Sequence, residues 1–212
     1  MYEALQRRLA DPDVIDRLRL QWRQTRRLRV VDALRPEVAD ALVEGAAAHG
    51  FNFFEKHVSD VRCVFWRQTH LFGAAEFEPM AAASRLLQDE IPRLVSAITG
   101  QALHGTGAGF SIDYYTRGSY LDVHTDQGSD RLIAYVVGLT ADTWPAEDGG
   151  HLEFLEADFE TVADRIAPGF GTLDLFTVYP LLRPHRVPLL KKPVTRLSIN
   201  GWLAGSLEAH HA

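Results

Sequence analysis

The sequence predicts an α+β fold that is mainly β: a two-sheet jelly roll (double-stranded β-helix) with N-terminal helices packed on one sheet. Three observations predict it. After Gly100 the chain breaks into eight short β-prone runs separated by turn signals, the spacing of an antiparallel sandwich or barrel. Before Gly100, longer stretches carry apolar residues at helical spacing. The last run alternates in kind, with Arg196, Ser198, Asn200 and Trp202 on one face and Leu197, Ile199, Gly201 and Leu203 on the other. The second set suits packing against helices or a facing sheet. The first suits a cavity that holds an anion, because burying an unpaired guanidinium in a dry core is costly.

Taken in order, residues 3–10 and 13–27 read as helical, broken at Asp11-Pro12. Leu28–Val31 is a short β-prone run. Pro36 suits the first position of a helix over 36–49, whose Val38, Ala41, Leu42 and Ala46 share a face, and Gly50 would stop it. FNFFEKHV (51–58) and VRCVFWRQ (61–68) read as two strands. The longest helix is predicted from Pro79 to Ile98. Met80, Ala83, Leu86, Leu87, Ile91, Leu94 and Ile98 fall at helical spacing there, and Pro92 should kink or split it. The β-prone runs follow: Phe110–Tyr115, Tyr120–His124, Arg131–Leu139, His151–Leu155, Thr161–Ile166, Thr172–Tyr179, His185–Leu189 and Thr195–Leu203. Asp148-Gly149-Gly150, Pro168-Gly169, Pro184 and the segment from Lys191 to Pro193 supply the turn chemistry between them. No repeat or linker divides the chain, so 1–212 is expected to be one domain. Its parts would be a helical extension over 1–27, helical and strand support over 28–106, and a jelly-roll catalytic core over 107–205.

Composition narrows the function. Hydrophobic residues make up 46% of the chain, enough for a sizeable core, yet no apolar run approaches the ~20 residues of a membrane span. The N-terminal MYEALQRRLADPD is charged and has no apolar stretch of the kind a secretory signal needs. A single cysteine, Cys63, excludes an internal disulfide and points to a reducing, cytoplasmic setting, where it reads as a small buried hydrophobe. The net charge of −6 hides an asymmetry, since residues 1–35 hold nine Arg against five acids. A solvated helix face with local ion pairs accounts for those arginines. The acidic remainder argues against nucleic acid as a partner, because affinity for phosphate is mostly electrostatic. No membrane partner is expected, and the sequence is silent on oligomeric state.

The chemistry gathers in YYTRGSYLDVHTD (114–126), which ends with His124 and Asp126 one residue apart. Residues i and i+2 of an extended strand point the same way, so an imidazole and a carboxylate leave one segment side by side. A third donor is offered by His185 in LLRPHRVP. Two His and one carboxylate with open positions opposite form the facial triad of non-haem Fe(II) oxygenases. Beyond His185, Arg196 and Ser198 offer an anchor for an acidic co-substrate. His151 and Glu153 in GGHLEF are a competing His-x-carboxylate pair, which a cupin-like metal protein could use and which otherwise reads as an edge-strand surface pair. Arg183 and Arg186 flank the distal His; both read as solvent-facing, with Arg186 a rival anchor.

These motifs, in this order, resemble the Fe(II)/2-oxoglutarate-dependent dioxygenase superfamily, and most closely its prolyl 4-hydroxylase-like branch. Tyr115-x-x-Gly118 followed by His124-Thr125-Asp126 is similar to that branch's metal-binding segment. LTADTWPAEDGGHLEFLE resembles the strand and turn after it. PHRV and then Arg196-Leu-Ser-Ile-Asn-Gly-Trp202 resemble the distal His and the closing Arg-x-Ser…Gly-Trp. The likeness covers about residues 25–205 and is strongest over 110–203. It implies that His124, Asp126 and His185 hold iron, and that Arg196 grips the distal carboxylate of 2-oxoglutarate. Ser198 and the Tyr115 hydroxyl would be supporting donors, although Tyr115 also reads as a core aromatic. Fe(II), 2-oxoglutarate and O2 are the implied cofactor and co-substrates, with ascorbate an optional accessory. The implied reaction is hydroxylation of an unactivated C–H, in a prolyl residue of a peptide or protein. A free amino acid or small natural product is the alternative substrate, and a cupin-like metal-binding non-oxygenase the alternative class. Asp126 argues against halogenation, which needs a small residue there. Trp202 stands where nucleic-acid demethylases of this superfamily carry a second Arg, and Arg196 where many prolyl hydroxylases carry Lys.

Overall fold

The computed structural model describes residues 3–58, 61–72, 78–107, 109–128, 130–141, 144–179 and 183–205, with the backbone alone for Val58 and for residues 78–80. Helix α1 (Pro12–Thr25) is opened by Asp11, whose side chain accepts from the Asp13 N–H, with Pro12 in the first turn. Arg26 ends it in the left-handed conformation and turns the chain into strand β1 (Arg27–Val30). Helix α2 (Pro36–Ala48) follows, then a hairpin of β2 (Asn52–Val58) and β3 (Val61–Leu71). Helices α3 (Glu78–Arg85) and α4 (Ile91–Thr99) come next, with a single π turn (Leu86–Glu90) between them. Nine further strands complete the chain. They are β4 (Leu103–Gly105), β5 (Gly109–Tyr115), β6 (Tyr120–His124), β7 (Ile133–Leu139), β8 (Leu152–Leu155), β9 (Val162–Ile166), β10 (Phe170–Thr177), β11 (His185–Val187) and β12 (Arg196–Gly205).

The strands form one continuous ladder in the order β1-β10-β7-β12-β5-β3-β6-β11-β8-β9, with β2 added on β3 and β4 on β12. Strand β3 is the hinge of the architecture. Its residues Trp66 to Leu71 pair with β5, while Cys63 and Val64 pair with β6. One long strand thus serves both halves, and the ladder curls so that β6, β11 and β8 face β12, β7 and β5 across a cavity. This is the expected jelly roll, with its two sheets joined through β3. The helices cover one sheet, as predicted. Trp22, Leu42, Leu94 and Ile98 pack with Ile112, Val137, Leu173, Ile199 and Leu203 in the largest buried cluster.

Several local expectations differ from the structure. Residues 3–10 are not a helix: only Arg7–Ala10 form a 3-10 turn, and Leu5 makes a bridge to Leu34. Helix α2 ends at His49 in extended conformation, so Gly50 is not its cap. Strand β4 carries no alternating signal and is set by pairing with β12. The Met80 side chain lies outside the described residues. The split at Pro92 is real but takes a specific form. The Ile91 N–H bonds to Leu86 O, five residues back, and this widened turn admits a proline without ending the rod.

The π turn also aims Glu90. Its carboxylate is buried and accepts from the backbone N–H groups of Glu3 (2.8 Å), Ala4 (3.0 and 3.1 Å) and Leu5 (2.9 Å). This side chain and the backbone bonds to residues 33–35 hold the N-terminal segment, which explains how a stretch without helix or long strand still buries Ala4 and Leu5. Replacing Glu90 by Ala leaves those donors without an acceptor, which costs roughly 2–3 kcal/mol. Thermal unfolding should show a fall of about 4–12 °C. Amide exchange should show protection lost first at residues 3–5 and kept in β7 and β10.

Candidate active site

Strands β6 and β11 are antiparallel neighbours whose register sets His124 opposite His185. The ring centroids lie 4.2 Å apart. Asp126 follows β6 and reaches both: Oδ1 is 3.5 Å from His124 Nε2, and Oδ2 is 3.4 Å from His185 Nε2. One ligand atom from each of the three residues lies within 4.8 Å of the others. Each ring is fixed from behind, by His124 Nδ1 to Asp122 O at 2.9 Å and His185 Nδ1 to Arg183 O at 2.8 Å. With the hydrogen on Nδ1, each Nε2 presents a lone pair to the shared point. Two lone pairs and a carboxylate converging on one spot are reconciled only by a proton or a cation. The same convergence shows in proton affinity. Burial works against both charges, yet the Asp126–imidazole bonds hold the Asp126 carboxyl far below its usual range and raise His124. The donor set fits Fe(II).

The Tyr115-x-x-Gly118 motif is explained by the turn between β5 and β6. Gly118 has φ of 90° and donates its N–H to Leu190 O at 2.8 Å, a conformation that a side chain would strain. Gly149 has a steric reason as well, because a Cβ there would fall 2.0 Å from Leu189 O.

Arg196 opens β12 opposite Tyr115 of β5, and its guanidinium carbon lies 4.9 Å from the Tyr115 ring centroid. It is only 5% exposed, and its Nη1 has no hydrogen-bond partner. Burial lowers its pKa, yet a guanidinium stays charged in proteins. A buried cation with an orphaned donor, lining the same 480 Å³ cavity as the triad, fits a carboxylate. Tyr115 is buried and stacks on Phe65 at 4.9 Å; burial drives its phenol pKa up and keeps the hydroxyl neutral. Cys63 is the buried hydrophobe expected of it, its thiol pKa raised by burial.

Ser198 shares the face of Arg196 but lines a small adjoining void, with its Oγ 3.4 Å from Asn200 Oδ1. His151 and Glu153 are not the surface pair expected. Both are buried, and Glu153 binds Arg165 (2.7 Å) and Arg186 (2.8 Å), neither of which lines the cavity. Arg186 is thereby committed to Glu153 and is no anchor, and Arg183 donates to Thr25 O.

Sequence reasoning missed Asp113 and Arg67. Both line the cavity. The Asp113 carboxylate takes a bidentate grip from Arg67 (2.6 and 2.8 Å) and a bond from Asn200 Nδ2 (2.9 Å). The signal was present as alternation: Cys63, Phe65 and Arg67 share one face of β3, and Asp113 and Tyr115 one face of β5. Arg131, stacked 3.6 Å over the Trp202 ring, was also missed.

Residues 110–204 match the model of the 2OG-Fe(II) oxygenase superfamily. The prolyl 3,4-dihydroxylase OGFOD1 of Ostreococcus tauri is 33% identical over 116 residues, which are 51% of this chain and 23% of that protein. The prolyl 3-hydroxylase sudestada1 of Drosophila melanogaster is 29% identical over 130 residues, 57% of this chain and 24% of that protein. The matched stretch thus spans about a quarter of these curated relatives. Among solved structures, a prolyl-4-hydroxylase of Pseudomonas putida shares the fold with a TM-score of 0.67 at 21% identity, over 91% of this chain and 99% of that one. The resemblance to the 2-oxoglutarate oxygenases, and among them to the prolyl hydroxylases, is borne out by these matches.

Replacing Arg196 by Leu removes a charge-assisted pair, which is worth about 1.5–3 kcal/mol or ten- to hundredfold in affinity. Calorimetry with Mn(II) in place of iron should show 2-oxoglutarate binding weakened by that factor and metal binding unchanged. An unaltered dissociation constant for 2-oxoglutarate removes Arg196 from the anchor role.

Proposed function

We propose that this chain, with its likeness to the 2OG-Fe(II) oxygenases over residues 110–204, is an Fe(II)- and 2-oxoglutarate-dependent dioxygenase that hydroxylates a prolyl residue in a peptide or protein. One observation carries the reading. Three convergent metal donors and a buried guanidinium with an orphaned N–H line a single cavity. The prolyl substrate is supported by the two curated relatives, both prolyl hydroxylases by name.

His124, Asp126 and His185 would hold the metal, leaving the far side of the ion open to co-substrate and O2. When bound, iron with 2-oxoglutarate and O2 supplies the oxidising power for an unactivated C–H, with succinate and CO2 as by-products. The protein's own residues position and enclose. Arg196 fixes the far end of the co-substrate, and the Tyr115 ring beneath its guanidinium limits that side chain's rotation. Leu121, Leu152, Phe176 and Val187 wall the triad with apolar surface and exclude water from the reacting carbon. No side chain is asked to act as general acid or base.

In Asp126→Gly, two imidazoles remain and one negative charge is lost from the ligand set. Hydroxylated product, seen as a 16 Da mass gain on a proline peptide, should fall to background together with succinate. Iron retention should become dependent on added 2-oxoglutarate, which brings donors of its own. Product at the wild-type rate in this variant would refute Asp126 as a ligand.

A further inference from the structure

The whole chain carries a net charge of −6, yet Lys56, Arg67, Arg131 and Arg196 line the cavity against two carboxylates, Asp113 and Asp126. These charges can be matched one by one. Arg67 is neutralised by Asp113 through two hydrogen bonds. On the proposed function, Arg196 is neutralised by one co-substrate carboxylate, and a divalent ion by Asp126 and the other. Lys56 and Arg131 are left over. Neither is ion-paired with a carboxylate among the described residues. Arg131 lies flat on the Trp202 ring with Nη1 3.4 Å from Asp126 O, and Lys56 is exposed at the cavity rim. Two cations without a carboxylate partner, one beside the triad and one at the cavity rim, are a recognition feature that the co-substrate does not satisfy.

Their positions differ, and the difference sets the length of the ligand. Arg131 touches the backbone of a triad residue, so a group it binds lies next to the reacting carbon. Lys56 is farther away: it pairs with Cys63, Cys63 pairs with Leu121, and Leu121 precedes His124 by three residues along β6. Two strand spacings and three residues of rise put its backbone roughly 14 Å from that of His124 along the sheet. An extended peptide covers that span in about four residues. A free amino acid is much shorter than that backbone span.

We infer that the substrate is an acidic peptide segment, with one carboxylate read by Arg131 beside the target residue and a second, about four residues away, read by Lys56. This rests on the proposed hydroxylase function and names its substrate class.

The test measures binding to the full chain loaded with Mn(II) and 2-oxoglutarate, which needs no turnover. Proline-centred peptides carrying a single Glu at successive positions are compared with their Gln counterparts by fluorescence anisotropy. A Glu adjacent to the proline and a Glu about four residues away should each tighten binding about three- to tenfold at low salt. Lys56→Glu should abolish the distant preference and make Lys at that position favourable. Arg131→Gln should abolish the near preference, and Arg131→Lys should keep most of it, which separates lost charge from lost folding. Equal affinities for Glu and Gln peptides in the wild type overturn the inference, as does a Glu preference that survives in both charge-removing variants. N-acetylproline binding as tightly as the best peptide would overturn the peptide assignment. Peptides that bind with the expected charge pattern yet yield no product with iron and O2 would uphold the acidic subsite and remove the hydroxylase reading. Product formed equally well from Glu and Gln peptides would do the reverse.

Discussion

The site depends on one pairing, the antiparallel contact between β6 and β11 that sets His124 opposite His185. A shift of one residue in that register would turn one imidazole to the other side of the sheet and dissolve the donor set. Much of the surrounding structure serves to fix it. Phe154 of β8 pairs with His185 on the other edge of β11, and Phe176 stacks edge-on against the His185 ring at 5.0 Å. The carbonyls of Asp122 and Arg183, each two residues before a histidine, hold the rings by Nδ1. Imidazole orientation is thus set by local backbone, and imidazole proximity by strand register.

The second sheet meets a different requirement, which is to hold a buried cation in place with one donor unpartnered. Arg196 is packed over Tyr115, itself stacked on Phe65, so an aromatic column rises from β3 through β5 to β12. Behind the strand, Leu197, Ile199 and Leu203 belong to the large cluster formed with the helices. The helical layer therefore backs the strand that presents Arg196 to the cavity. Glu90 and the π turn extend the same layer to the N-terminus.

The triad, Arg196 and the jelly roll were legible because they rest on period-2 alternation and on motif order, both written along single strands. Hidden features were those created by pairing between distant segments. Nothing in GGHLEF reveals that Glu153 will meet Arg165 and Arg186, since that contact exists only once β9 and β11 flank β8. The N-terminal stretch reads as helix because its propensities are helical, but the buried carboxylate of Glu90 offers its N–H groups a better acceptor than a helical turn would. At Pro92 the sequence signalled an irregularity without its form, because a kink, a break and a π turn all answer the same missing N–H.

Strand alternation also explains how an acidic protein keeps a cationic cavity. On β8 and β11 the cavity-facing positions are Leu152, His185 and Val187, while Glu153 and Arg186 neutralise each other on the other face. On β1 and β10, Arg29 and Asp174 pair in the same way, at 2.7 Å. The acidic excess thus lies outside the cavity, in pairs or in solvent, where water and salt screen it. Inside, Arg67 and Asp113 form a bidentate ion pair, further tied by Asn200, so that wall presents fixed dipoles rather than free charge. Lys56 and Arg131 are left without a carboxylate partner among the described residues, although the Trp202 ring and Asp126 O partly offset the charge of Arg131. Charges kept unmatched at the rim and beside the triad cost little while the cavity is wet. They gain strength as an entering ligand displaces that water, which makes them better suited to selecting a substrate than to stabilising the fold.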